Sequence, residues 1–332
     1  MTRITRLQLV LPNTLSALRA MHEAQQPWSP PLQYCLRRGF AEVLHHHGNS
    51  LEPWQHSVLQ TLPEAARPVG LAAAALSWRG EGGILRPGTW MQVMPVQFAA
   101  GMNDVHISAP AELSAGQTQQ LMSALQPLLS LSGFELHGSA AGRWYVWSER
   151  VLDIHTHSIQ SALITRDYDV LPTGRDAPQL RRLLTEMQML LHAHPVNRMR
   201  EQQGLPPVNA VWFSGAGSPV VAASSTRQRV MSDHPYMLGL CDQLNVTCWP
   251  LPRSAAELLR IRDHDLLLVP SDTDISAFAS QWLRPIMRAL CSGTVSELTI
   301  CLDQLKLSFR GGRWQQLRRR FSPPASLQDL LA

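Results

Sequence analysis

The spacing of apolar residues divides the chain into two kinds of pattern. After about residue 174 the pattern is regular. Leu180, Leu183, Leu184, Met187, Leu190 and Leu191 recur at helical spacing behind Asp176, a residue type that caps helices. The run "VNAVWF" predicts a strand, "DHPYMLGLCDQL" a helix and "VTCW" another strand. Ser254 and Glu257 form a capping-box pattern before "AAELLRIR". "HDLLLVP" predicts a buried strand and "ISAFASQWLRPIMRALCSG" a long helix. "SELTICL" and "KLSFR" predict strands, and the stretch from Arg313 to Phe321 a last helix. Such alternation predicts an α/β fold whose mixed, largely parallel sheet is covered by helices.

Before that point the pattern is less even. "RLQLVLP" predicts a strand, and "TLSALRAMHEA" and "LQYCLRRGFAEVLHHH" predict helices on either side of the break "PWSPP". "TWMQVMPVQF" and "DVHIS" predict strands. Ser114 and Gln117 open a capped helix that ends near Gly133. "FELHG" and "RWYVWSE" then predict a hairpin around "SAAG". Strands paired near in sequence point to an α+β region over 1–150, followed by an α/β region over 151–332.

Composition narrows the function classes. The chain has 332 residues, 45% of them hydrophobic, enough to bury a sizeable core. Its net charge of +4 is weak for a dedicated nucleic-acid binder. Lys306 is the sole lysine and has no glycine-rich run before it, which excludes a P-loop. The five cysteines form no CxxC pair, so reduced, buried thiols are expected. The apolar run near the N-terminus is too short for a signal peptide, and no stretch reaches the length of a membrane span. A cytoplasmic protein without membrane attachment is expected.

Several residue groups could carry chemistry. Asp153, His155 and His157 alternate along a possible strand, so the imidazoles would share a face. Metal-dependent amidohydrolases start this way, yet they need a downstream lysine and further histidines, and a barrel of about 250 residues. The triplet His45, His46 and His47 cannot converge on one ion from a helix. Ser271, Asp272 and Asp274 follow a strand and could serve phosphoryl transfer, or simply cap the next helix. Arg313, Trp314, Arg318, Arg319 and Arg320 could hold a nucleic-acid backbone, or a protein partner, from one basic helix.

The stretch "HAHPVNRMREQQGLPPVNAVWFSGAG", from His192 to Gly217, is the most distinctive. Pro195 should end the helix before it, Asn197 should cap a short second helix, and Gly204 should close that helix. Gly215 and Gly217 follow the strand, where backbone N–H groups could meet an anion. His192 and His194 diverge on a helix and do not make a zinc pair.

This stretch resembles the signature of the RpfE-type regulatory proteins of proteobacteria. It is also similar to a segment of archaeal-type cofactor-independent phosphoglycerate mutases. The likeness extends weakly from about Met94 to the C-terminal arginines and hardly touches the first 80 residues. It implies an alkaline-phosphatase-like α/β core and ligand contacts at His194, Asn197, Arg200, Asn209, Gly215 and Gly217. Ser214 and Ala216 depart from the pattern of the regulatory family. The mutases hold two metals around a serine nucleophile. Here "RLQLVLPNTLSAL" has no Asp-Gly-x-Gly-Asp segment, and "DHDLLLVPSDTDISAF" has no Asp-x-x-x-His-Asp-Gly run. The resemblance therefore implies a non-catalytic regulatory or accessory protein, with no metal and no cofactor, that binds a partner or a small anion at the carboxyl edge of its sheet. An alternative is a metal-dependent phosphohydrolase or phosphomutase with rearranged ligands. A protein partner is expected, a single-strand DNA exonuclease being one candidate because genes of this family lie beside one. A third reading makes the chain an accessory factor for such a nuclease, with weak nucleic-acid binding.

Overall fold

A computed structural model describes residues 4–26, 28–44, 51–62, 72–100, 105–108, 113–164, 170–219, 228–261 and 263–311. The expected C-terminal helix with Arg313, Trp314, Arg318, Arg319 and Arg320 lies outside these residues, as does the His45–His47 triplet. The chain divides into two compact units. The first comprises Met1–His46, Pro53–Arg67 and Ala223–Ala332; the second comprises His47–Glu52 and Pro68–Ala222. The boundary expected near residue 150 lies inside the second unit.

The first unit begins with β1 (Ile4–Leu11), α1 (Thr14–Glu23), α2 (Pro30–Arg38), β2 (Phe40–Val43) and α3 (Pro53–Thr61). The second unit holds α4 (Ala73–Gly80), β3 (Thr89–Ala100), β4 (Val105–Ser108), α5 (Ala115–Leu131), β5 (Glu135–Gly138) and β6 (Trp144–Ser148). It continues with α6 (Ile159–Ile164), α7 (Ala177–His192), α8 (Pro195–Gln202) and β7 (Ala210–Gly217). The chain then returns to the first unit with β8 (Arg229–Ser232), α9 (Pro235–Gln243), β9 (Cys248–Trp249), α10 (Ala255–Leu258) and β10 (Asp265–Val269). A helix follows as α11 (Ile275–Phe278), a π turn (Ala279–Leu283) and α12 (Arg284–Ser292), before β11 (Val295–Leu302) and β12 (Leu305–Arg310).

The first unit carries a seven-stranded sheet in the order β2-β12-β11-β1-β10-β8-β9. β11, β1, β10, β8 and β9 run parallel, and β12 lies antiparallel between β11 and the edge strand β2. This is the expected mixed, largely parallel α/β sheet. The inner strand β10 is buried on both faces, as parallel strands require. Leu266 and Leu268 enter the main core with Leu7, Leu9 and Leu11, while Leu267 and Val269 are buried on the opposite face. β1 was expected in an N-terminal α+β region, yet it pairs with β10 and β11, more than 250 positions away. Local pattern shows that a strand exists, not where it pairs.

The second unit is built on a five-stranded sheet in which β3 pairs antiparallel with β4, β6 and β7, and β5 joins β6. The β5–β6 hairpin expected around "SAAG" is present. β7 was expected in the parallel sheet and instead pairs antiparallel with β3.

Two helices differ from expectation. The helix from Pro30 ends at Arg38, and Phe40–Val43 pairs as an edge strand with β12. Gly39 makes the change possible, because a Cβ there would meet the Cys35 carbonyl oxygen at 2.9 Å and the Phe309 ring at 3.0 Å. The long helix after β10 contains a π turn. Pro285 offers no N–H to the Gln281 carbonyl, and the preceding turn widens. Among the described residues no helix is long and apolar enough to cross a membrane. The cysteines are free, but only Cys35, Cys241 and Cys301 are buried; Cys248 is half-buried and Cys291 exposed. Burial pushes the Cys35 and Cys301 thiols up to about 12.

Candidate functional site

The segment from His192 to Gly217 is a joint between two helices and a strand. α7 ends at His192, as Pro195 demands. α8 begins at Pro195 itself, so His194 rather than Asn197 caps it: His194 Nδ1 accepts the Val196 N–H at 3.2 Å. Burial lowers the His194 pKa. Asn197 sits one turn in and is buried. Its Nδ2 donates to the Leu191 and Val208 carbonyls at 2.7 and 2.8 Å, and its Oδ1 accepts the Val208 N–H at 2.8 Å. Arg200 is fully buried, donating from Nε to the Pro206 carbonyl at 2.9 Å and from Nη1 to Gln117 Oε1 at 3.3 Å. Gln117 is the capping-box residue of α5, so one arginine ties three elements together.

The other three expected ligand contacts lie along β7. The Asn209 side chain extends the strand pairing, accepting the Phe98 N–H at 2.7 Å and donating to the Phe98 carbonyl at 2.9 Å. Gly215 has φ +65, and a Cβ there would lie 2.9 Å from Ala74 N; one on Gly217 would lie 3.1 Å from Ala72. These glycines let the start of α4 pack on the strand. Asn209 and Gly217 stand at opposite ends of a strand about 25 Å long. The six residues therefore form no single site. His155 and His157 also part: His155 is exposed beside Asp153, and the His157 imidazole contacts the Val170 carbonyl.

The carboxyl edge of the seven-stranded sheet gathers a different set. Parallel pairing brings Asn13, Asp233, His234, Asp303 and the segment Ser271–Asp274 to the same edge, just beyond β1, β8, β11 and β10. Most of the carboxylates there hold backbone. Asp303 accepts the Asn13 and Leu15 N–H groups, each at 2.8 Å. Asp233 accepts the Ser271 N–H at 2.6 Å, and Asp274 accepts those of Ser276 and Ala277 as the cap of α11. His234 caps α9 through Nδ1 and stacks edge-on against Trp54. Among the described residues no three His, Cys, Asp or Glu side chains are grouped to hold a metal. This donor set does not fit the two-metal centre that the mutase resemblance implies.

A half-open cavity of about 220 Å³ lies at this edge, between β1, β10 and the helix that follows. Asp272 and Asp274, candidates from the sequence, line it, but its apolar walls are ordinary core leucines that give no sequence signal. Sequence reading missed a hollow of about 520 Å³ in the second unit, lined by Trp78, Glu81, Arg86, Trp90, Glu135 and His137. There Gly83 passes so close to the Trp78 indole that a Cβ would lie 2.1 Å from it. The spacing "SWRGEGG" was the available signal. Arg86 donates to Glu135 at 2.8 Å and lies 3.0 Å from His137 Nε2, which is itself 3.4 Å from the other Glu135 oxygen. Burial lowers the His137 pKa below the ordinary 6.5; Glu135 opposes this and Arg86 adds to it.

A pH dependence follows from this contact. Below about pH 6.5 the unfolded ring takes a proton that the folded ring refuses, so stability is full above that value and falls as pH drops. His137→Gln should shrink the loss of urea midpoint between pH 7.5 and 5.5. An equal loss in both proteins would exclude His137 as a contributor.

No family model matches the chain. Two curated proteins do. A probable 2,3-bisphosphoglycerate-independent phosphoglycerate mutase of Geobacter sulfurreducens is 27% identical over 140 residues, 40% of this chain and 33% of that protein. The 2,3-bisphosphoglycerate-independent phosphoglycerate mutase of Methanothrix thermoacetophila is 45% identical over 49 residues, 15% of this chain and 12% of that protein. The chain is distantly similar to cofactor-independent phosphoglycerate mutases. The matches span a third or less of the relatives' length. Among solved structures, the cofactor-independent phosphoglycerate mutase from Thermoplasma acidophilum aligns over 92% of this chain and 90% of its own, at 16% identity and a TM-score of 0.41.

Proposed function

We propose that the protein is a non-catalytic, mutase-like regulatory or accessory protein, of the RpfE type, that works by binding at the carboxyl edge of its seven-stranded sheet. The observation that carries this reading is the use of the edge carboxylates. Asp233, Asp274 and Asp303 accept backbone N–H groups, which leaves them as parts of the scaffold rather than a metal-binding set. Without two metals nothing at this edge would activate a serine or neutralise a transferring phosphoryl group. The same acidic edge favours a partner or an effector over the small anion that the sequence reading allowed, because an anion would meet like charge.

Purified protein supplied with manganese and 3-phosphoglycerate should give no turnover, and should retain no stoichiometric divalent metal. Turnover in the ordinary range of roughly 1–1,000 per second would overturn the proposal.

A further inference from the structure

The cavity at the carboxyl edge has an unusual division of surface. Its walls are apolar: Leu9 and Leu11 from β1, Leu268 from β10, and Phe278 and Trp282 from the helix above. The leucines belong to the main core, where close packing is the rule. Its remaining polar lining comes from Asp272, Thr273, Asp274 and Gln281, and among the described residues no lysine or arginine lines it. Two further features point to an occupant. The Thr273 hydroxyl oxygen is buried with no hydrogen-bond partner. The π turn, a local distortion found often at functional sites, supplies both Gln281 and Trp282 to the lining.

Apolar hollows of roughly 150 Å³ stay dry and accept molecules the size of benzene. At about 220 Å³ this cavity has room for a ring or a short alkyl chain. The polar lining selects the other end of the guest. The Asp272 and Asp274 carboxylates accept hydrogen bonds and oppose negative charge. We propose that the cavity binds a small molecule with a compact apolar body and a hydrogen-bond-donating end, an alcohol or an ammonium group, and discriminates against carboxylates and phosphates. The assignment rests on the carboxyl edge being a binding site, and it names the class of ligand.

The test uses the full chain and the small neutral fluorescent probe 1-naphthylamine, which has a compact apolar body and a donating amine end. Probe fluorescence should rise on binding, and octanol and octylamine should displace it at concentrations about tenfold below octanoate, the ratio that corresponds to roughly 1.4 kcal/mol. Ala277→Phe, at the cavity lining, should abolish probe binding while circular dichroism remains that of the parent. Asp272→Asn, at an exposed position that carries little folding risk, should narrow the gap between octanoate and octylamine. Absence of probe binding, unchanged binding in a folded Ala277→Phe variant, or equal displacement by octanoate would overturn the assignment. If Ala277→Phe does not fold, Asp272→Asn decides: an unchanged octanoate gap overturns it. Phosphoglycerate turnover would instead overturn the non-catalytic reading, whatever the probe does.

Discussion

Replacing Trp212 by alanine is expected to destabilise the second unit by about 3–5 kcal/mol, the usual range for emptying a large aromatic site. Trp212 is only 4% exposed and packs with Val96, Ile107, Ala162 and Val170. Its indole N–H also donates to the His157 carbonyl at 3.0 Å, so truncation leaves a cavity and an unpaired acceptor. Trp212→Phe should recover much of the packing and none of the hydrogen bond. Chemical denaturation followed by far-ultraviolet circular dichroism measures both. An unchanged midpoint in Trp212→Ala would show that the ring is not part of the folded core.

Asn197→Ala should cost about 3 kcal/mol or more, although it removes few atoms. The side chain satisfies two carbonyls and one N–H, all from buried backbone of the α7–α8–β7 joint. Each buried group left without a partner costs roughly 1–3 kcal/mol. The loss should appear in the absence of any ligand, which separates a scaffold role from the binding role that the family resemblance implies for this residue. Asn197→Asp keeps the acceptor for Val208 but loses both donors, and should fall at least as far as alanine because it also buries a charge. A loss below about 0.5 kcal/mol for the alanine variant would remove Asn197 from the scaffold.

Much of the local structure was legible because short-range physics decides it. The capping box at Ser114 and Gln117 forms as its spacing implies. The helix from Asp176 buries Leu180, Leu183, Met187 and Leu191, the face that the 3.6-residue period selects. Asp176 itself, however, does not cap with its side chain; its carboxylate accepts the Asp153 N–H at 2.9 Å. A nearby long-range donor outcompetes the local one, and nothing in the surrounding residues announces it. The same applies to Pro195, which was expected to end one helix and in fact also starts the next.

The sequence by itself determined most of the helices and strands, though not the strand Phe40–Val43 or the helices Pro53–Thr61, Ala73–Gly80 and Ile159–Ile164, and it showed that the usual metal-ligand segments of the mutases are missing. These follow from backbone sterics and from the identities of single residues. Tertiary structure decided that β1 lies at the centre of a sheet whose other strands come mostly from the C-terminal third of the chain. It decided that β7 leaves that sheet for β3, and that Asp233, Asp303 and the Ser271–Asp274 segment meet at one edge. It also decided that Leu9, Leu11 and Leu268 line a cavity and do not close over it. Parallel pairing between distant strands leaves no periodic trace that names the partner, because every buried strand presents the same apolar run. A cavity leaves none either, since it is the shape left between side chains that are each individually ordinary.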